Sequence, residues 1–211
     1  QFYSFAQYDK IADYHVDLLV QPDRSLIVTE TITVINTPVG QIQRGLTRGL
    51  PNKRMLDTKS MKMKYDIISV KLDGKVEPYS ISGEGNEKMM YIGRKEVLLK
   101  PGSYVYEIKY QLPNQIAFFE DYDEIYWNAI PHNIVFEVDT ATVTVQLPDG
   151  ITVKQDEAYF GRYGSSDKSK TRTLNAGNYE YSADRPLKPR EGYSVSVGFE
   201  KGFFEAPSLF Q

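Results

Sequence analysis

The sequence contains no cysteine and no long apolar run. Without cysteine there is no disulfide, no thiol nucleophile, no Cys-ligated zinc and no lipoprotein-type anchor. No apolar stretch approaches the roughly 18 residues that a membrane-spanning helix requires. No segment of about ten residues combines helical spacing of apolar side chains with caps at both ends. These absences argue against a disulfide scaffold and against a helical protein.

Excess basic charge is also missing, because 25 Lys and Arg face 28 Asp and Glu for a net charge of −3. A general nucleic-acid binder would be clearly basic. The charge is nevertheless uneven. Residues 44–64 carry seven basic side chains against one acid, whereas residues 110–153 carry seven acids and no Lys or Arg. We interpret the two segments as solvated faces that pair with one another.

The usual catalytic and cofactor motifs are absent. The two histidines, His15 and His132, lie far apart and form no HExxH motif. The segment 192–196, GYSVS, ends in Ser where a nucleophile elbow needs Gly. No dinucleotide loop, P-loop or EF-hand spacing occurs. We therefore expect a protein that is not an enzyme and that binds no cofactor or metal.

Strand signals are abundant. Apolar side chains alternate with polar ones, and Pro, Gly and Asp mark turns at intervals of roughly 8–12 residues. The pattern predicts an all-β, two-sheet antiparallel β-sandwich, Ig-like or jelly-roll-like, with long irregular loops. The predicted strands lie near residues 14–20, 26–34, 68–72, 76–81, 89–92, 97–99, 104–112, 140–147 and 193–199.

The domain interpretation has three parts. Residues 1–10 are an aromatic N-terminal leader, residues 11–202 a single sandwich domain, and residues 203–211 a tail leading toward a membrane anchor. Within the domain, residues 41–64 lack a period and predict a long irregular connection, and residues 163–173 predict a polar loop. We expect a monomer or a weak oligomer.

Glu30 breaks the alternation of its strand. It has the parity of the apolar face, where a bare carboxylate would be costly unless it is paired. The chain near Arg48 must cross one end of the sandwich. The sequence therefore predicts a partly buried ion pair between Glu30 and Arg48, or Arg44 failing that.

The stretch 119–148 holds the only tryptophan beside a cluster of acids and aromatics. Tyr122, Tyr126, Trp127 and His132 are the candidate binding residues, as an aromatic platform for a sugar or peptide with a loop histidine nearby. The structural alternative is that Trp127 belongs to the core edge. We expect Trp127 to be buried, with its indole N–H bonded to a backbone carbonyl, and Tyr126 to be the more exposed of the two.

The four acids in residues 120–124 allow two further interpretations. They are Glu120, Asp121, Asp123 and Glu124. Several carboxylates can bind Ca²⁺, although this spacing matches no defined loop. Two carboxylates are also the minimum for glycoside hydrolysis, but any acid-rich β-protein meets that standard. The alternative without any binding or catalytic role is a solvated acidic turn.

A set of short motifs follows in a fixed order across residues 14–202. They are Asp17, Gln21-Pro22-Asp23, Ser25, Val28, Glu30, Gly45-Leu46, Arg48, Leu50-Pro51, Ile92-Gly93, Pro101-Gly102, Tyr104, Tyr106, Tyr110, Glu124, Tyr126-Trp127-Asn128, Val143, Val145, Leu147-Pro148, Gly161, Leu187, Pro189, Glu191-Gly192-Tyr193, Val195, Val197, Phe199 and Lys201-Gly202. Their order resembles the N-terminal extracytoplasmic domain of the DUF2207 family of predicted membrane proteins. One departure is Arg24, which stands where the family's turn usually carries Gly.

The resemblance implies a signal peptide upstream, a membrane helix soon after Gly202, and a place in the cell envelope on the extracytoplasmic side. It implies no activity, because the family's function is uncharacterised. Some relatives occur near LemA-type membrane proteins, which makes such proteins candidate partners. The leading expectation is a non-catalytic binding or assembly module. A carbohydrate- or peptide-binding module is the alternative, and a hydrolase using the acids of residues 120–124 ranks third.

Overall fold

Strands make up almost all of the regular structure in the computed structural model, which describes residues 8–56, 59–83, 87–165, 167–175 and 177–206. Within these ranges the only helical element is a single 3₁₀ turn at Ile42–Arg44. The strands are β1 (Lys10–Val20), β2 (Leu26–Asn36), β3 (Leu46–Pro51), β4 (Lys53–Leu56), β5 (Lys59–Lys62), β6 (Asp66–Leu72), β7 (Lys75–Val76), β8 (Tyr79–Ser82), β9 (Glu87–Ile92), β10 (Gly102–Leu112), β11 (Ile116–Phe118), β12 (Asp123–Ile130), β13 (Val138–Gln146), β14 (Val153–Gly161), β15 (Asp167–Lys168), β16 (Lys170–Asn175), β17 (Asn178–Ser182) and β18 (Gly192–Phe199).

Eight strands form a large sheet in the order β16-β17-β13-β1-β2-β10-β6-β7. Its centre follows the predicted alternation, since every second residue of β2 from Leu26 to Asn36 is buried. One ladder departs from the antiparallel expectation, because β13 runs parallel to β1. The chain reaches β13 from a strand of another sheet, and such a crossover allows parallel pairing where a tight hairpin does not.

Two smaller sheets share the core of the large one. The second sheet has the order β11-β12-β18-β14-β15, and the third has the order β3-β9-β8. One apolar cluster takes in the inner faces of all three, with Tyr110 from the large sheet, Val197 from the second and Met90 from the third. The described residues thus form the all-β sandwich that the sequence predicts.

The segment 41–64 is not the irregular connection that the sequence predicted. It contains β3, which pairs with β9, and the β4–β5 hairpin. In β3 the residues Leu46, Arg48 and Leu50 all point inward and are buried. The alternation was hidden because the middle inward residue is charged.

Three other expectations for strands and loops were wrong. Residues 97–99 form no strand, and instead the Leu99 N–H donates to the carbonyl of Gln43 across a connection. The polar loop predicted at 163–173 contains β15 and most of β16, both at sheet edges. The strand predicted at 76–81 is split, because β7 ends the large sheet whereas β8 joins the third.

The structure describes part of the predicted leader and part of the predicted tail that flank the domain. Lys10 of the predicted leader already belongs to β1, and Asp9 accepts backbone N–H bonds from Thr37 and Ile42 at 2.8 and 2.9 Å. At the other end the buried ring of Phe204 packs on Phe199. Residues 1–7 of the leader and residues 207–211 lie outside the described residues. The described part of the chain holds no helix of the length and apolarity needed to cross a bilayer.

Candidate functional site

Glu30 lies at the centre of the large sheet with its carboxylate completely buried. Arg48 reaches it from β3 and donates two parallel bonds, from Nε to Oε2 at 2.8 Å and from Nη2 to Oε1 at 2.9 Å. The hydroxyls of Tyr14 and Tyr110 donate to the same carboxylate at 2.6 and 2.5 Å. We call these four side chains the buried quartet. The structure therefore brings the two predicted ion-pair partners together and adds two tyrosines that the sequence analysis did not assign.

Burial and neighbouring charges shift the pKa values of Tyr14, Tyr110 and Arg48 in the buried quartet. Burial, and then the negative charge of Glu30, raise the pKa of Tyr14 and Tyr110 well above 10.0. For Arg48, burial alone would lower the pKa, but Glu30 outweighs it and the pKa rises. The buried quartet is thus an ion pair between Glu30 and Arg48 to which the neutral hydroxyls of Tyr14 and Tyr110 each add a hydrogen bond. It fixes β3 against β2 and so positions one wall of a neighbouring cleft.

That cleft has a volume of about 470 Å³ and is lined by Arg48 and Pro51 of β3, by the start of β4, and by β12 with the turn that follows it. Its size falls within the range of roughly 300–1,000 Å³ typical of ligand sites. A second cavity of about 240 Å³ shares Tyr126, His132 and Tyr163 with it and continues toward Gly161. The two cavities are neighbours that share these side chains, and we call them together the β12 cleft.

Arg54 lines the larger of these two cavities, and the sequence analysis did not single it out. Its Nη1 donates to the carbonyl of Tyr126 at 2.7 Å and its Nη2 to the carbonyl of Gln115 at 2.9 Å. Its guanidinium lies 5.8 Å from the centre of the Trp127 ring. Burial lowers the pKa of Arg54 to about 10. The negative charge of Glu124 acts on this pKa in the opposite direction, but no ion pair between described residues includes Arg54.

Trp127 and Tyr126 point to opposite faces, as the parity of β12 predicts. Trp127 is 5% exposed and Tyr126 is 38% exposed. The expected hydrogen bond of Trp127 is wrong, because the indole N–H has no acceptor among the described residues. Arg54 explains the difference, since it covers the ring and takes the carbonyls of Tyr126 and Gln115 for itself.

The predicted aromatic platform does not assemble as one surface. Tyr122 lies in the turn before β12 and stacks on Phe119 at 4.9 Å, away from the residues that line the cleft. His132 does line the cleft, and its ring packs so closely on the backbone that a Cβ at position 192 would come within 2.6 Å of it. Gly192 is therefore needed for this contact. The binding roles of Tyr122, Tyr126, Trp127 and His132 stay predictions.

The acids of residues 120–124 do not converge. Asp123 is buried and accepts from the Lys201 ammonium at 3.1 Å, whereas Glu124 accepts from the Ser196 hydroxyl at 2.7 Å. Adjacent strand residues point to opposite faces, so these two carboxylates diverge. The described residues contain no group of three or more His, Cys, Asp or Glu arranged to hold a metal ion.

Sequence comparison connects this architecture with a family. The family model described as the N-terminal domain of a predicted membrane protein, DUF2207, matches residues 10–199. The chain belongs to the DUF2207 family. A curated relative of the DUF2207 domain is the uncharacterized protein YciQ of Escherichia coli (strain K12). It is 27% identical over 173 residues, which are 81% of this chain and 27% of the relative.

Solved structures resemble the DUF2207 domain in fold. Yeast LTA4 hydrolase in complex with bestatin has a TM-score of 0.55 at 9% identity, covering 89% of this chain and 28% of the hydrolase. A putative protease from Parabacteroides distasonis has a TM-score of 0.52 at 10% identity, covering 90% of this chain and 40% of the other. At such identities the likeness concerns the fold alone. The DUF2207 domain spans less than half of each of these proteins and about a quarter of the curated relative.

Proposed function

We propose that this DUF2207 domain is a non-catalytic binding or assembly module of a membrane-anchored protein of the cell envelope, facing away from the cytoplasm. The observation that carries the proposal is the β12 cleft. It brings together an exposed tyrosine, a buried tryptophan and an arginine that forms no ion pair among the described residues.

The charge content of the cleft favours binding over hydrolysis. Its lining contains a single carboxylate among the described residues, Glu87, and this side chain accepts from the Asn133 amide at 2.9 Å. Hydrolysis by paired carboxylates needs a second acid facing the first. The acids that precede Tyr126 in β12 have other partners, since Asp123 accepts from Lys201 and Glu124 accepts from Ser196.

The proposed partners are other proteins of the envelope or membrane, LemA-type proteins among them. A photoreactive amino acid at Tyr126 in the full-length protein, in its own membranes, tests this. We expect crosslinks to a defined partner from Tyr126 and none from Val76, which is 81% exposed and lies at the far edge of the large sheet. Equal crosslinking from both positions, or none from Tyr126, would count against a partner in the cleft.

The proposed location has a separate test. This chain has no cysteine, so Val39→Cys at a position that is 89% exposed introduces its only thiol. An extracytoplasmic domain would react with a membrane-impermeant maleimide in intact cells, when compared with the unsubstituted full-length protein. Labelling that appears only after the cells are lysed would place the domain on the other side.

A further inference from the structure

The residues around the β12 cleft indicate what kind of ligand it binds. This inference rests on the proposed function. We propose that the β12 cleft accepts an extended peptide segment that lies along the open edge of β12 and sets one carboxylate against Arg54.

The first observation is the free edge of β12. On one side this strand pairs with β18 along most of its length, from Asp123 to Ile130. On the other side β11 pairs only with residues 123–125. From Tyr126 onward that edge has no strand partner among the described residues, and the cleft follows it. The Tyr126 carbonyl is already bonded to Arg54, but an edge without a strand partner offers its other main-chain donors and acceptors in the spacing that an added strand satisfies. This feature favours a peptide over a sugar.

The second observation is the state of Arg54. Its two carbonyl bonds fix the guanidinium plane but supply no negative charge. Each Nη nitrogen carries two N–H groups, so one on each remains for another acceptor. The Nε–H of Arg54 and the indole N–H of Trp127 are buried without an acceptor within the described ranges. Buried donors of this kind are nearly always satisfied, and a ligand carboxylate in the cleft would supply both charge and acceptors.

The surrounding charge limits where a ligand acid can lie. Arg54 belongs to the segment 44–64, with its seven basic residues against one acid. On the other side of Tyr126, a further cavity is lined by Glu124 and Glu157 of the outer face of the second sheet and by Asp156. A uniformly acidic ligand would be repelled there. The geometry therefore fits a strand with one carboxylate at the Arg54 end and neutral residues beyond.

The probe is the peptide acetyl-Thr-Val-Glu-Val-Thr-amide, added to the full-length protein, and its binding is measured by calorimetry. Trp127 lies under Arg54, so its emission is a second readout, taken as the difference between the protein and its Trp127→Phe variant. Three comparison ligands accompany the probe: the peptide with Gln for Glu, the peptide N-methylated on its central backbone, and trigalacturonate as a carboxylate-bearing sugar.

We expect the Gln peptide to bind roughly tenfold or more weakly, the size of a lost charge-assisted hydrogen bond. The N-methylated peptide should also bind more weakly, because strand pairing is blocked. In Arg54→Gln the Glu and Gln peptides should bind alike. The control Lys62→Gln removes an equal charge from an exposed position outside the cleft and should keep the discrimination. Melting temperatures check that each variant is folded.

Two results would overturn the inference and leave the proposed function standing. One is equal binding of the Glu and Gln peptides, which removes the role of the carboxylate. The other is binding of trigalacturonate without the peptides, which makes the ligand a sugar. If no ligand binds and crosslinking from Tyr126 also fails, both the inference and the proposed function are wrong.

Discussion

Arg48 and Arg54 lie six positions apart in the same segment, yet their surroundings are opposite. Arg48 is buried against Glu30, and the carboxylate is saturated by two guanidinium bonds and two tyrosine hydroxyls. Arg54 is held by main-chain carbonyls over Trp127 and faces an open cleft. A charge satisfied inside the fold contributes to its architecture, whereas a charge held in place but left without a counter-ion is available to a ligand. The comparison predicts that substitutions at the two arginines separate stability from binding.

The largest effect is expected in the buried quartet. Glu30→Gln leaves the Arg48 guanidinium buried without its counter-charge, and Arg48→Met does the converse. Breaking a buried pair in this way costs roughly 3–5 kcal/mol, which corresponds to a fall in melting temperature of about 6–20 °C. The double variant Glu30→Leu, Arg48→Met should lose less than either single variant, because no lone charge remains. Thermal unfolding measures all three, and an unchanged melting temperature for Glu30→Gln would falsify the structural role of the pair.

The second-largest effect on stability is expected at Trp127, a buried residue that lines the β12 cleft. Trp127→Ala removes a buried ring and should cost about 3–5 kcal/mol. Tyr126→Ala, on the exposed face of the same strand, should be mild and serves as the matched control. Denaturant unfolding compares the two. Equal losses would mean that the two faces of β12 do not differ as the burial of these side chains indicates.

A third effect appears at alkaline pH. The pKa of Tyr14 and Tyr110 is raised above 10.0 in the folded chain by burial and by Glu30. As the pH rises past 10.0, the unfolded chain loses protons that these folded tyrosines retain, so stability falls. Each contributes about 1.4 kcal/mol per pH unit to this loss. The variant Tyr14→Phe, Tyr110→Phe should start less stable but decline less steeply. An identical slope for the variant and the parent would contradict the assignment.

The smallest effect is expected for Arg54→Gln. The glutamine amide can still donate to a carbonyl, and removing the charge relieves the burial cost that lowers the pKa of Arg54 to about 10. We expect a change of about 1 kcal/mol or less, measured beside Arg48→Gln, which should lose several times more. If Arg54→Gln proved as destabilising as Arg48→Gln, Arg54 would be an architectural residue and not a ligand-facing one.

Alternation along the chain was enough to predict the centre of the fold. The period of two in β1, β2, β10 and β18 places apolar side chains on one face, and burial of that face requires a second layer. The same parity put Glu30 inside, and a buried carboxylate needs a cation, which led to Arg48. These conclusions depend on neighbours a few residues apart. They hold because side-chain direction in a strand is a local property.

Strands with a polar inward residue or at a sheet edge could not be predicted in this way. Arg48 interrupts the apolar alternation of β3, so the pattern does not predict that strand. The short, polar edge strands β15 and β16 have the composition of a loop. The parallel pairing of β1 with β13 was also beyond local patterns. It depends on which strands the crossover brings side by side, and that is decided when the layers pack.

The sequence by itself determined the all-β class, the strand faces of the central sheet and the buried charge that needs a partner. Tertiary structure alone decided the β12 cleft. Arg54 binds carbonyls that lie 61 and 72 positions away, at Gln115 and Tyr126, and main-chain carbonyls are the same at every residue. Hydrogen bonds to main-chain carbonyls therefore cannot be predicted from residue types or from their spacing in the sequence. The packing of the β4–β5 hairpin against the second sheet brings these groups together, and among the described residues Arg54 forms no ion pair.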